Sequence, residues 1–326
     1  MADTTDASDP FSPTSDEMNP PDVIIRASDM VDFHAHKAIL SFGSIVFKDM
    51  FSFPEPRGED ANLTKDGKPV IALPESSKTI EKLLILCYPR FASSYLLDLD
   101  GVDGAYEAAR KYQIPGGQQL LRQLLRDPRF LEKNPHRVFA IACHRGIEDS
   151  AKLAARETLK FPRYIPYLSV PEWDFIPARH LRRLEDFHYR CSQEVASVVG
   201  EFSWPVDIVE DFDEEGRPPE ADYVWWQGTG HATGCGPEEL EGCMYHPAPW
   251  FKEHVDRVVQ AGQHVPDEHS LAKVMGDVDG PTLAAISNCF KCARLAPTHL
   301  TAKGWILISQ LEEIYTSILE KFSFVG

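Results

Sequence analysis

The stretch DVIIRASDMVDFHAHKAIL, which begins at Asp22, constrains the fold most, because it sets two strands and a helix in a fixed order. The β-branched run from Asp22 to Ala27 predicts a strand, and MVDFHAH predicts its hairpin partner beyond a turn near SD. KAILSF and SIVFKDMF predict two short helices broken at Gly43, the second with Ser44 as its N-cap. The fold therefore begins with a hairpin that runs directly into helices.

Later segments add one more strand and many helices. KPVIALP predicts a third strand, and SSKTIEKLLILCYP predicts a helix that starts at a serine cap and carries apolar residues at helical spacing. VDGAYEAARKYQI and GGQQLLRQLLRD predict a further helix pair, and the pattern from 134 to 200 stays helical with short proline-containing turns. These patterns predict an α+β domain followed by a mostly α-helical C-terminal region.

The order of these elements resembles a BTB/POZ domain. The resemblance rests on Asp22 before the first strand, on FHAHK with Leu40 and later Ser44 and Phe47, and on IALPESSKTIEKLLILCYP, a strand and a helix ending in tyrosine. The fold signature residues are Phe33, His36, Leu40, Ser44 and Phe47. The resemblance covers about residues 20 to 126, and the chain as a whole most resembles BTB proteins of mushroom-forming (basidiomycete) fungi.

Composition divides the chain further. We expect a disordered tail at 1–21, a BTB/POZ domain at 22–126 and a helical region at 127–203 that resembles BACK-type helices. The run DIVEDFDEEGRPPEAD predicts an acidic linker or loop at 204–224. A helical C-terminal region with a Cys/His-rich loop is expected at 225–326.

The pair His34 and His36 allows a metal ligand or an acid–base role, but the structural interpretation is favoured. No cysteine, aspartate or glutamate at ligand spacing completes a metal site nearby. We expect His36 to lie near a helix N-terminus and to hydrogen-bond backbone, with Phe33 and Leu40 in the core.

The resemblance implies a role for Asp22 and Lys37, because similar domains place an acid and a base in a partly buried pocket at the dimer groove. Lysine lacks the bidentate fork of the commoner arginine, so two exposed surface charges are the alternative. The resemblance also links dimers to an N-terminal amphipathic helix. ASDPFSPTSDEMNPP has too many prolines to form one, which predicts a weak homodimer or a monomer.

The resemblance further suggests recruitment of a cullin ubiquitin ligase scaffold. Scaffold-binding members tend to carry a large apolar residue, any residue and a glutamate after the helix that matches F..MF, and Phe53, Pro54 and Glu55 stand there. An exposed Phe53 would be an aromatic anchor. The alternative, a loop whose Phe53 folds back onto its own domain, is favoured because patterns this short arise often by chance.

Cysteine and histidine cluster in the last third of the chain. The candidate metal ligands are His231, Cys235, Cys243, Cys289 and Cys292. Thiolates and imidazoles suit a structural zinc, but the irregular spacing also allows packed thiols with no metal. A zinc-dependent hydrolase with Glu238, Glu239 or Glu241 as its base is the enzymatic alternative.

Charge and motifs restrict the function. The net charge of −17 argues against a nucleic-acid partner, and no apolar run of membrane-spanning length occurs. The acidic N-terminus predicts no secretory signal, and seven cysteines predict a reducing compartment, so we expect a cytoplasmic or nuclear location. The sequence carries no phosphate-binding loop and no hydrolase motif. The sequence thus predicts a non-enzymatic adaptor that binds other proteins and has no certain cofactor.

Overall fold

The structure is a computed structural model that describes residues 4–14, 19–53, 63–88, 98–162, 170–201, 206–207, 223–240 and 244–326. The strands are β1 (Thr5–Asp6), β2 (Val23–Arg26), β3 (Val31–Ala35), β4 (Thr64–Lys65), β5 (Lys68–Ala72), β6 (Val206–Asp207), β7 (Glu238–Leu240) and β8 (Met244–His246). The helices are α1 (Lys37–Gly43), α2 (Ile45–Ser52), α3 (Ser77–Cys87), α4 (Val102–Lys111), α5 (Gly117–Leu124), α6 (Pro128–Leu131), α7 (Pro135–Arg145), α8 (Glu148–Thr158), α9 (Ala178–Glu201), α10 (Pro249–His264), α11 (Glu268–Gly276), α12 (Gly280–Ser287) and α13 (Phe290–Lys321), with a 3₁₀ helix at Pro171–Phe175. This is the predicted α+β architecture followed by a mostly helical C-terminal region.

The first sheet has β2 at its centre, in the order β1-β3-β2-β5-β4. The predicted hairpin is confirmed, since β2 and β3 pair antiparallel with Val23 opposite Ala35. β2 also pairs in parallel with β5, which is the predicted third strand. Val23, Ile24 and Ile25 of β2 are fully buried although successive side chains point to opposite faces, so both faces of this central strand are covered.

The expected disorder of residues 1–21 is wrong for residues 4–14. β1 pairs in parallel with β3, with Thr5 opposite Val31. The Phe11 side chain is buried and meets the rings of Phe33 and Tyr88 edge-on at 6.2 and 5.3 Å, while its carbonyl accepts from the backbone N–H of His34 at 2.9 Å. A single aromatic residue therefore anchors a segment whose composition is otherwise polar.

A buried carboxylate, Asp32 in β3, lies beneath this segment. Arg26 donates two hydrogen bonds to it, from Nε at 2.6 Å and from Nη2 at 2.8 Å. Lys65 Nζ lies 2.9 Å from Asp32 Oδ2 and 2.7 Å from Asp6 Oδ1. His34 Nε2 also contacts Asp6 Oδ1, at 3.0 Å. These charges link β1, β2, β3 and β4, because an unpaired charge at a buried position is costly.

Short helices follow the hairpin as predicted. The Ser44 side chain accepts from the backbone N–H of Phe47 at 3.1 Å and caps α2, and Ser76 caps α3 in the same way. A Cβ at Gly43 would lie 2.8 Å from the Cβ of Cys87, so the break between α1 and α2 lets the backbone approach α3 closely. Leu40 and Phe47 are fully buried.

The chain forms two compact units. The first consists of residues 1–154 with 170–176 and 325–326, and the second of residues 155–169 with 177–324. The first unit therefore extends beyond residue 126 and includes α7. Arg137 in α7 pairs with Asp100 at 2.9 Å and with Glu172 at 2.5 Å, and these ion pairs hold the later helix in the first unit.

Helices α9 to α13 dominate the second unit, with a small antiparallel sheet in the order β6-β8-β7. Trp225 is fully buried and stacks on Phe251 at 4.0 Å. Most of the acidic linker expected at 204–224 lies outside the described residues, and Val206–Asp207 within it pairs with β8. Among the helices that the structure describes, none is long and apolar enough to cross a membrane.

We expect Asp32→Asn to lower the free energy of unfolding by about 3–5 kcal/mol, because Arg26 and Lys65 would lose the charge that compensates them. Urea denaturation of the full chain measures this change. Asp66→Asn is the matched control, since Asp66 is exposed in a turn at φ 52°, a conformation that asparagine tolerates. Equal losses in the two variants would contradict a special role for Asp32.

The same carboxylate predicts a dependence on pH. Burial raises the pKa of Asp32, but hydrogen bonds from Arg26 and Lys65 outweigh it and lower the pKa. The stability that this group contributes is therefore present above the ordinary carboxyl pKa of about 3.9 and is lost as pH falls through the lowered value. Asp32→Asn should remove this part of the acid sensitivity, as urea midpoints measured across acidic pH would reveal.

Candidate functional site

His36 lies at the N-cap of α1 and makes hydrogen bonds within the first unit. Its Nε2 lies 2.7 Å from the carbonyl oxygen of Asn19, and its Nδ1 lies 2.9 Å from the hydroxyl of Tyr88. Because a carbonyl only accepts, Nε2 carries the proton and the Tyr88 hydroxyl donates to Nδ1. The Tyr88 oxygen also accepts from the His36 backbone N–H at 2.9 Å. His36 therefore links the N-cap of α1 to Asn19 and to the end of α3.

The two histidines of the opening stretch do not converge on one site. His34 faces Asp6 of β1, whereas His36 faces Asn19 and Tyr88. Neither belongs to a group of three or more potential metal ligands within the described ranges. The other signature residues, Phe33, Leu40, Ser44 and Phe47, are buried.

We expect His36→Ala to lower the free energy of unfolding by about 1–3 kcal/mol through lost hydrogen bonds and packing. Tyr88→Phe removes the hydroxyl on the other side of the same contact. If the two groups stabilise each other, the double variant should lose less than the sum of the single losses. Additive losses in thermal or urea denaturation would contradict this coupling.

Asp22 and Lys37 meet at the start of α1, but through the backbone of Lys37. The Asp22 carboxylate accepts from the Lys37 backbone N–H at 2.7 Å, a favourable position for a negative charge at a helix N-terminus. Asp22 is exposed, and the Lys37 ammonium lies 6.0 Å from the ring centre of Phe51. Lys37 itself is half-buried, and a pocket that these two residues would share at a dimer groove stays a prediction.

Large apolar side chains are exposed along α1 and α2. Phe53 ends α2 with 71% of its surface exposed, so it does not fold back onto its own domain. Phe42 is 86% exposed, and Ile45 and Met50 are also exposed. We call these four residues the α1–α2 apolar surface. Glu55 lies outside the described residues.

Four of the five candidate metal ligands come together in the second unit. One ligand atom each from His231, Cys235, Cys289 and Cys292 can be chosen so that all four lie within 4.8 Å of one another. We call these four residues the Cys/His cluster. Cys243 lies outside the described residues, so its distance from the cluster is not part of this geometry.

The cluster joins a loop to the start of a long helix. Cys289 is the N-cap of α13 and Cys292 lies in its first turn. His231 and Cys235 lie in the loop before β7, where Gly230 and Gly234 adopt φ values of 79° and 76° that favour glycine. The loop is held beside the helix by Lys291, which donates to the Thr229 carbonyl.

The thiols of this cluster differ in their electrostatics. Burial raises the pKa of Cys289, but hydrogen bonds from the backbone N–H groups of Cys292 and Ala232 and from neighbouring thiols outweigh it and lower the pKa to about 7. Burial alone raises the pKa of Cys87 to about 12. Burial and the Lys291 charge lower the pKa of His231 and favour the neutral imidazole. Burial raises the pKa of Cys235 and of Cys292 as it does that of Cys87, so the lowered pKa within the cluster is that of Cys289.

Sequence reasoning missed the network around Asp32 and the exposed side chain of Phe42. VDFHA alternates, so Asp32 and His34 face one side of β3 and suggest a solvent-facing surface. On that side, Asp32 and His34 instead meet the side chains of Arg26, Lys65 and Asp6. The N-terminal segment has few apolar residues, and a charged residue such as Asp6 does not indicate a strand, so the sequence offered no signal for β1.

The first unit combines a small curled sheet with helices, an α+β arrangement. The family model for the BTB/POZ domain matches residues 11–128 of the chain. Residues 11–128 are therefore a BTB/POZ domain, as the opening stretch predicts. A comparison with curated proteins finds no match.

Proposed function

We propose that this protein is a non-enzymatic adaptor that binds other proteins through its BTB/POZ domain. The observation that supports this most directly is the exposed α1–α2 apolar surface within a domain type associated with protein–protein interaction. Exposed phenylalanines such as Phe42 and Phe53 leave apolar area in water, and a protein partner would remove it. Aromatic anchors of this kind dominate the energy of many interfaces.

One candidate partner is a second copy of the chain. β1 pairs with β3 of its own chain and so occupies one side of the sheet internally. The N-terminal segment contributes Phe11 to the core of the same chain, which leaves no described amphipathic helix there for exchange. These features favour weak self-association.

We expect the full chain to sediment as a monomer or as a dimer that dissociates on dilution. Analytical ultracentrifugation over a range of concentrations measures this directly. A dimer that survives dilution to nanomolar concentration would contradict the expectation, because that stability requires an extensive and well-packed interface.

The second candidate partner is the N-terminal region of a cullin scaffold, bound through Phe53. We expect the wild-type chain to retain this region in a pull-down and Phe53→Ala to weaken binding at least tenfold, since burying an aromatic anchor can contribute about 2 kcal/mol or more. Titration by biolayer interferometry quantifies the difference.

Phe42→Ala is the matched control, because it removes the same side chain from an exposed position in α1. It should leave cullin binding unchanged if Phe53 is the specific anchor. Equal binding by wild type and Phe53→Ala, or binding by neither, would remove this loop as the recruiting element. Binding that both phenylalanine variants weaken equally would assign recruitment to the whole α1–α2 apolar surface.

A zinc-dependent hydrolase fits the residues less well. A catalytic zinc keeps a coordination position open for water, whereas four protein ligands fill a tetrahedral shell. Glu238 and Glu239 lie in β7, and Glu241 lies outside the described residues. No observation places a base beside an open position, so we do not propose this activity.

A further inference from the structure

We propose that His231, Cys235, Cys289 and Cys292 bind one structural zinc ion that fastens the loop before β7 to the start of α13. This site is independent of the BTB/POZ domain and of the proposed adaptor function. The sequence leaves either His231 or Cys243 as the fourth ligand, and the proposed site uses His231.

The distances suit a tetrahedral ion. Zinc–sulfur bonds of about 2.3 Å and zinc–nitrogen bonds of about 2.0–2.1 Å place ligand atoms about 3.8 Å apart for two sulfurs and about 3.6 Å for sulfur and nitrogen. Cys235 Sγ and Cys292 Sγ are 3.5 Å apart. His231 Nδ1 lies 3.2 Å from Cys292 Sγ and 3.7 Å from Cys289 Sγ. These three distances between ligand atoms differ by a few tenths of an ångström from those around a tetrahedral zinc ion.

The backbone also suits a thiolate ligand. The backbone N–H of Ala232 donates to Cys289 Sγ at 3.5 Å, and Cys289 caps a 32-residue helix whose N-terminal end favours negative charge. Gly236 lets the loop fold tightly, since a Cβ there would lie 3.3 Å from His231 Cβ and Cγ. Three thiolates and one neutral imidazole would leave the zinc site with one net negative charge, which the helix end and Lys291 offset.

Packed thiols without a metal explain the cluster less well. A thiol is a weak hydrogen-bond donor and usually packs as a small apolar group. Here three thiols face one another and an imidazole nitrogen, although the two halves are 57 residues apart in sequence. Hydrogen bonds between thiols would stabilise that arrangement only weakly, whereas a tetrahedral zinc ion would bind all three sulfurs and the imidazole nitrogen.

The donor set also selects the metal and its role. Three sulfurs and one nitrogen favour zinc over magnesium or calcium, which prefer oxygen ligands. With four protein ligands the shell is closed, so the ion would stabilise structure rather than activate water. Binding would release the thiol protons and couple metal affinity to the folding of the second unit.

The test measures zinc in the full chain purified from zinc-supplemented cells without a chelator. We expect one zinc per chain by mass spectrometry of the metal content. Cys289→Ser and His231→Ala should lose the ion, whereas Cys243→Ser should keep it, because the proposed set is complete without Cys243. Cys191→Ala is the second control, since Cys191 is buried in α9 outside the cluster.

Replacement of zinc by cobalt gives a test that does not depend on variants that fold. The cobalt-loaded wild-type chain should show the absorption of tetrahedral cobalt with thiolate charge-transfer bands, and a chelator should lower its thermal denaturation midpoint. Absence of both zinc and the cobalt bands would overturn the proposal in favour of packed thiols. Retention of metal by His231→Ala with loss in Cys243→Ser would overturn the ligand set.

Discussion

The buried carboxylate of Asp32 is the constraint on which the first sheet depends. Its side chain is fully inaccessible, so its charge must be compensated inside the protein. Arg26 reaches it across the hairpin and Lys65 reaches it from β4. Lys65 in turn binds Asp6 of β1, so the carboxylate aligns strands from four parts of the chain. The ion pairs around this one charge thus tie the N-terminal segment to the sheet, together with the buried ring of Phe11.

Local signals predicted the elements whose stabilising contacts lie close in sequence. The hairpin from Val23 to Ala35 and the Ser44 cap each depend on residues that are close in sequence. β1 could not be predicted in this way. Its polar residues do not indicate a strand, and its partner β3 lies more than twenty residues further along the chain. The ion pairs of Arg137 with Asp100 and Glu172 likewise join segments that are far apart in sequence.

The Cys/His cluster likewise depends on contacts between segments that are distant in sequence. Sequence spacing identified its members but could not select among them, because nothing in the irregular first half favours His231 over Cys243 as the fourth ligand. In the folded chain, the loop that Gly230 and Gly234 shape and the cap of α13 bring His231 together with three cysteines. Three-dimensional proximity of His231, Cys235, Cys289 and Cys292 is therefore information that only the fold supplies.

The short strand β1 also has a consequence for aggregation. Without it, β3 would present a row of unpaired backbone N–H and C=O groups, a template on which another chain can add a strand. β1 covers that row, yet with two residues and a charged Asp6 it is too short and too polar to recruit a strand itself. A chain that lacks residues 1–14 would leave this edge of β3 unpaired and should tend to form intermolecular β-structure.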